Sequence, residues 1–180
     1  AYESLYPEQK RFTDPDTVEK IQYEPEEKYI ISRRVLPHEA AMQDKLWRLL
    51  NEQEEQGLLN IVLNCNVLLL ADAGQGKTVA LRNLAFQLQN TPYFPYLIQL
   101  RNYRGESIEE LLPSTYQGLQ PFCRVLLFDG YDELTSDLSF SFAGKINEYI
   151  QNHPDAHILI SSRSNFCKTE RNNESSTFPG

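Results

Sequence analysis

The chain is poor in the residues that build metal clusters, disulfide frameworks and membrane spans. Its 180 residues include 3 Cys, 3 His, a single Met and a single Trp. Cys65, Cys123 and Cys167 lie far apart with none of the short spacings of a zinc site, and an odd count does not close a disulfide framework. Each reads as a small hydrophobe or an idle thiol, which fits a reducing cytosol. Basic residues are also scarce: 17 Lys and Arg against 25 Asp and Glu give a formal net charge of -8. That balance argues against a surface built to hold duplex nucleic acid or an anionic membrane, though it leaves room for a local basic pocket. No apolar run approaches the ~20 residues of a membrane span, and no basic-then-apolar leader opens the sequence. The expectation is a soluble, cytoplasmic protein with no membrane partner and no direct nucleic-acid binding. A hydrophobic content of 41% suits one sizeable core and no second full domain.

What is present is organised around Val67 to Thr78, Val-Leu-Leu-Leu-Ala-Asp-Ala-Gly-Gln-Gly-Lys-Thr. Four consecutive aliphatics suit a strand buried on both faces. After Thr78, the apolar residues Leu81, Leu84, Ala85 and Leu88 return at helical spacing. Between strand and helix lies Ala71-x-x-x-x-Gly76-Lys77-Thr78, a phosphate-loop spacing with Ala where the first Gly is usual. A turn of small residues entering a helix lets successive backbone N–H groups surround phosphate oxygens, and the helix dipole favours the same anion. Gly74 and Gly76 supply backbone freedom, Lys77 an ammonium for the β and γ phosphates, and Thr78 a hydroxyl for magnesium. The phosphate-binding set is thus Ala73, Gly74, Gln75, Gly76, Lys77, Thr78 and Val79.

Taken in order, residues 1–28 form an acidic arm rich in Tyr and Pro, with a short helix candidate opened by Asp14-Pro15-Asp16-Thr17. Tyr2, Tyr6, Phe12 and Tyr23 are expected to dock this arm on its own domain, with partner binding as the alternative. The domain proper covers residues 29–180. A helix is expected from Pro37 to about Gln56, ending at Gly57. Pro95 to Leu100 reads as a second buried strand with Pro at its first position. Ser107 and Glu110 form a Ser-x-x-Glu capping box that should open a short helix.

Arg124 to Asp129 is a further aliphatic strand, and it ends abruptly in acids: Asp129, Asp132 and Glu133. Ligands of open parallel sheets sit beyond the C-terminal strand ends, so Asp129 can reach a magnesium ion held by the phosphates. Asp132 or Glu133 can orient or deprotonate a water. Phe142, Ile146, Tyr149 and Ile150 mark an amphipathic helix. Ile158 to Arg163 is another buried strand, with Arg163 at its end, either reaching a γ-phosphate or pairing with Asp129, Asp132 or Glu133. Strand and helix alternate throughout, which predicts a three-layer α/β domain with a mainly parallel sheet flanked by helices and right-handed crossovers. No internal repeat is visible.

Together these residues resemble the NACHT branch of the signal-transduction P-loop NTPases, which includes innate immune receptors and bacterial antiphage proteins. Ala71 to Thr78 resembles that family's Walker A. Phe94 to Arg101 is similar to its second strand, Leu126 to Leu134 to its extended Walker B, and Ile158 to Arg163 to its sensor strand. The resemblance implies a P-loop NTPase fold, truncated here before the last core strand, and a switch closed with ADP and open and self-associating with ATP. It implies ATP, ADP and Mg2+ as ligands, with Thr78 and Asp129 on the metal. Lys77 keeps its phosphate role, Asp132 or Glu133 positions water, and Arg163 senses the γ-phosphate. Upstream, Ile31 and Arg33 are implied at the adenine. Helical, winged-helix and sensing regions of the family are absent from these 180 residues, so the sensed ligand and the effector are expected elsewhere in a longer protein, and turnover is expected to be slow. A nucleotide-holding module with little or no hydrolysis, and a P-loop kinase of a small acceptor, are the alternatives. No guanine-reading Asn-Lys-x-Asp element occurs.

Overall fold

A computed structural model of the chain describes residues 11–24, 57–71, 74 and 76–163. The helix anticipated from Pro37, the positions Ile31, Arg33, Ala73 and Gln75, and the polar stretch from Asn165 lie outside the described residues. Four strands, β1 (Val67–Ala71), β2 (Phe94–Gln99), β3 (Arg124–Asp129) and β4 (His157–Arg163), form an all-parallel sheet in the order β1-β4-β3-β2. The α-helices among the described residues are α1 (Leu58–Asn64), α2 (Lys77–Gln89), α3 (Ser114–Gln117) and α4 (Ser136–Asn152). No helix among the described residues is long and apolar enough to cross a membrane.

The side-chain alternation of the central strands divides the core in two. Val125, Leu127 and Leu159 pack with Leu81, Leu84 and Leu88 of α2 and with Ile61 and Val62 of α1. Leu126, Phe128, Ile158 and Ile160 pack instead with Phe142, Ile146 and Ile150 of α4. The chain steps outward from β1 to β2, then back through β3 to β4, and opposite steps with one hand of crossover place their helices on opposite faces. Each fully buried aliphatic contributes roughly 1.5–3 kcal/mol. One consequence governs the site: with a period of two, Asp129 follows Leu127 and Ser161 follows Leu159 onto the face that carries α2.

The edge strand β2 is covered by residues 11–24. The Leu97 amide donates to the Tyr23 hydroxyl at 3.0 Å, and the Tyr23 amide donates to Gln89 Oε1 at 2.7 Å. Lys20 reaches the Gln89 and Thr91 carbonyls and lies 5.1 Å from the Phe94 ring centre. Pro95 shares the outward parity of Leu97, so it presents no unpaired N–H where Leu97 needs a capping hydroxyl. Both devices stop another strand from adding to this edge. Burial pushes the Tyr23 hydroxyl up to about 12. Phe12 stays 43% exposed, while Tyr2 and Tyr6 lie outside the described residues.

Local boundaries differ from the sequence reading at two places. Pro95 is the second residue of β2, not the first. The capping box forms, with the Ser107 amide on Glu110 Oε2 at 2.7 Å and the Glu110 amide on Ser107 Oγ at 3.3 Å, but it closes one turn and no helix. Pro113 explains this, since it disfavours helical backbone at the residue before it. Gly57, with φ -64 and ψ 142, is the N-cap of α1; the helix expected to end there lies outside the described residues.

At the N-terminal end of the sheet the side chain of Arg124 is buried. It pairs bidentately with Glu109 at 2.9 and 3.0 Å and donates to the Tyr149 hydroxyl at 2.9 Å. Nearby, His157 opens β4 with its ring edge-on to Tyr93, centroids 5.1 Å apart, and burial lowers its pKa. The folded state therefore favours neutral imidazole, and the unfolded chain takes up the proton first. This contribution to stability is complete above the unfolded value of about 6.5 and is lost as pH falls through the folded value. Relative to His157→Gln, the wild type should lose stability between pH 7.5 and 5.5 in paired denaturant titrations; parallel pH profiles would contradict this.

Candidate functional site

Beyond the C-terminal ends of β1, β3 and β4 the polar residues collect. Gly74 and Gly76 both adopt left-handed backbone, φ 78 and φ 74, between β1 and α2. A side chain at Gly76 would be strained there, and Gly76 is the N-cap from which α2 starts. The first helical hydrogen bond runs from the Ala80 amide to the Gly76 carbonyl at 3.0 Å. The Thr78 and Val79 amides therefore have no acceptor within the helix and point past its end.

Thr78 joins this loop to β3. Its hydroxyl donates to Asp129 Oδ2 at 2.7 Å, across 51 residues of sequence. Lys77, the first residue of α2, thereby lies one residue from a group in contact with Asp129. Asp129 is 5% exposed, and its other oxygen accepts the Ser161 hydroxyl at 2.8 Å. Ser161 accepts in turn from the Gly130 amide at 3.0 Å. The last residue of β3 is thus held from both sides, by the helix after β1 and by the strand inserted between β1 and β3.

The remaining acids are placed by a 3-10 turn, Tyr131–Glu133, that follows Gly130 in the left-handed region at φ 88. The positive φ calls for glycine here, while the atoms nearest a built Cβ belong to the exposed Glu133 side chain, which can swing aside. Tyr131 anchors the turn: it is buried, stacks at a tilt 6.0 Å from Phe142, and donates to the Ser139 carbonyl at 3.3 Å. The anchored turn swings Asp132 back toward β4. There Asp132 Oδ2 pairs with Arg163 Nε at 3.1 Å, and Oδ1 accepts the Arg163 amide, also at 3.1 Å. Of the partners open to Arg163, the structure selects Asp132. The Arg163 side chain is 58% exposed against 9% for Asp132, so the pair sits at the rim. Glu133 is exposed.

The geometry therefore brings together Gly74, Gly76, Lys77, Thr78, Val79, Asp129, Asp132, Glu133 and Arg163 at one end of the sheet. Ile31, Arg33, Ala73 and Gln75 lie outside the described residues. Ser161 was not singled out by sequence reasoning; its signal was a hydroxyl interrupting the aliphatic run of β4 at the end where ligands sit. The donor set of Thr78 hydroxyl and Asp129 carboxylate is all oxygen, which suits a hard cation such as Mg2+. Among the described residues no cluster of three or more His, Cys, Asp or Glu could hold a metal ion. A cation here would draw the rest of its shell from water and ligand oxygens, as Mg2+ does at phosphate sites.

An open groove of about 800 Å³ at the other end of the sheet, lined in part by Cys65, Tyr93, Phe122 and His157, is separate from these residues. No protein-family model matches the chain, and no curated protein matches it in sequence.

Proposed function

We propose that this chain is the nucleotide-binding core of a NACHT-like P-loop NTPase, taking Mg2+ with ATP or ADP and acting as a nucleotide-controlled switch. The observation that carries the reading is the 2.7 Å contact of Thr78 with Asp129. It joins a left-handed glycine loop at a helix start to an acid-ended strand, as phosphate and metal binding require. In this reading the amides of the 74–79 loop hold the phosphates and Lys77 balances their charge. Thr78 and Asp129 hold Mg2+, which when bound neutralises charge on the β and γ phosphates. Asp132 orients the attacking water, with Glu133 as the second candidate, and Arg163 contacts the γ-phosphate after leaving Asp132. Self-association, a cytoplasmic setting and a role in signalling or antiphage defence belong to the same proposal.

Isothermal titration with ATP and Mg2+ tests it. Binding by the wild type, weakened about 10–100-fold in Lys77→Ala by loss of a charged hydrogen-bond partner, is the expected result. No heat at millimolar nucleotide, with the fold verified, would refute it.

A second reading has its own support: both oxygens of Asp132 are engaged by Arg163, which suits a module that holds nucleotide without useful hydrolysis. Phosphate release separates the two, since Asp132→Ala leaves a low background rate unchanged only in the second.

A further inference from the structure

Asp129 accepts two hydrogen bonds, one at each carboxylate oxygen, and they are not equivalent. Thr78 belongs to the loop that meets the ligand, whereas Ser161 is fully buried in the middle of the sheet. A hydroxyl has one proton to give. Because the Gly130 amide donates into Ser161 Oγ at 3.0 Å, and Ser161 lies 2.8 Å from Asp129 Oδ1, the hydroxyl proton is committed to Asp129. The order of donation is Gly130 N–H to Ser161 Oγ, then Ser161 O–H to Asp129 Oδ1. Gly130 directly follows the last residue of β3, so its amide reaches β4 through this side chain.

We propose that Ser161 is a positioning residue for the metal site: by occupying Oδ1 it fixes the carboxylate rotamer and leaves Oδ2 as the oxygen offered on the side of Thr78. The proposal rests on the Mg-nucleotide reading above and adds to it the group that orients the acid. Two properties of Ser161 are required at once. It must accept from Gly130 and donate to Asp129, so an alanine fails at both, leaving a buried amide and a buried carboxylate oxygen without partners. Threonine keeps the hydroxyl and suits a strand. The inference also explains why a hydroxyl stands in a strand whose preceding residues are Ile158, Leu159 and Ile160.

The test compares ATP affinity of the full chain in excess Mg2+ and in EDTA, for the wild type, Ser161→Ala and Ser161→Thr. Outer-shell partners of metal ligands typically govern about 10–100-fold in metal affinity. Ser161→Ala should therefore lose about that factor in Mg2+ while binding ATP in EDTA as the wild type does, and Ser161→Thr should regain most of the loss. Wild-type Mg2+ dependence in Ser161→Ala would overturn the proposal while leaving the nucleotide reading intact. So would an equal loss with and without metal, the mark of a merely structural residue. A wild type that binds no nucleotide in either condition would overturn both. If Ser161→Ala does not fold, Ser161→Cys takes its place, since a thiol is a weak donor; it should show the same metal-selective loss to a smaller degree, and wild-type behaviour there would overturn the proposal.

Discussion

Asp129→Asn is expected to reduce Mg-dependent ATP hydrolysis on the order of 10²–10³-fold, as for loss of a preorganised charge-stabilising group, without lowering the melting temperature. The two halves of that result come from the same geometry. Asparagine matches aspartate in size, and its amide can face Thr78, whose hydroxyl can rotate to accept. Its carbonyl oxygen can keep the Ser161 bond seen at 2.8 Å. The fold therefore loses little. A carboxylate that is only 5% exposed carries a desolvation cost, and removing the charge relieves it, so stability should be unchanged or higher, as at other sites where function opposes stability. Steady-state phosphate release and thermal unfolding on the same preparations check this. Full activity in Asp129→Asn, or a large fall in melting temperature, would show Asp129 to be a structural acid.

Arg124→Ala should give the opposite pattern, a loss of stability with nucleotide binding retained. Arg124 is 1% exposed and its guanidinium serves Glu109, Tyr149 and the Tyr116 carbonyl. Removing it leaves a cavity, a buried hydroxyl and a carboxylate without its cation. The cavity and the unpartnered Tyr149 hydroxyl carry most of the cost, about 2–5 kcal/mol or roughly 4–20 °C in melting temperature for a domain of this size, since Glu109 is 37% exposed and can be solvated. Glu109→Gln tests the charge alone: it leaves the buried guanidinium without its carboxylate, while the glutamine carbonyl oxygen can keep one of the two hydrogen bonds. Arg124→Met, which fills the volume without a charge, should recover part of the Arg124→Ala loss. Since Arg124 stands at the start of β3 and Asp129 at its end, Mg-ATP affinity below the melting transition should match the wild type. Differential scanning calorimetry with a nucleotide titration at low temperature measures both.

These two residues also show what could and could not be read from sequence. The strands were legible where an aliphatic run ended in a polar residue, because burial on both faces and a ligand-side end leave that mark: Arg124 to Asp129 and Ile158 to Arg163 carry it, and Val67 to Ala71 runs directly into Asp72. The long helices were legible from period, as in Phe142, Ile146 and Ile150. The strand order was not, since nothing local in Leu69 or Ser161 states that β4 lies between β1 and β3. For that reason Ser161 was passed over: its importance comes from an inter-strand contact with a residue 32 positions away. Arg124 was passed over for a different reason, in that a strand-initial arginine usually marks a solvated end. α1 was missed because Leu58–Asn64 is short and its apolar residues run on into β1 without a period of their own. The Ser107 helix was over-read because a capping box is a start signal only, and Pro113 ended it after one turn.

The pairing of Arg163 with Asp132 bears on how the site would be controlled. An ion pair at the rim, with one partner 58% exposed, is worth little in stability, so a phosphate could draw Arg163 away at small cost. Release would free both an acid and a cation together. Whether this pairing times hydrolysis or only holds the site closed is decided by phosphate release from Asp132→Ala.

The most direct measurement is a structure of the chain with Mg2+ and a non-hydrolysable ATP analogue. The β and γ phosphates should lie against the 74–79 loop, with the metal beside Thr78 Oγ1 and Asp129 Oδ2 and Ser161 still on Oδ1. An analogue seated elsewhere, such as in the groove beside His157, or a metal bound away from Asp129, would contradict it.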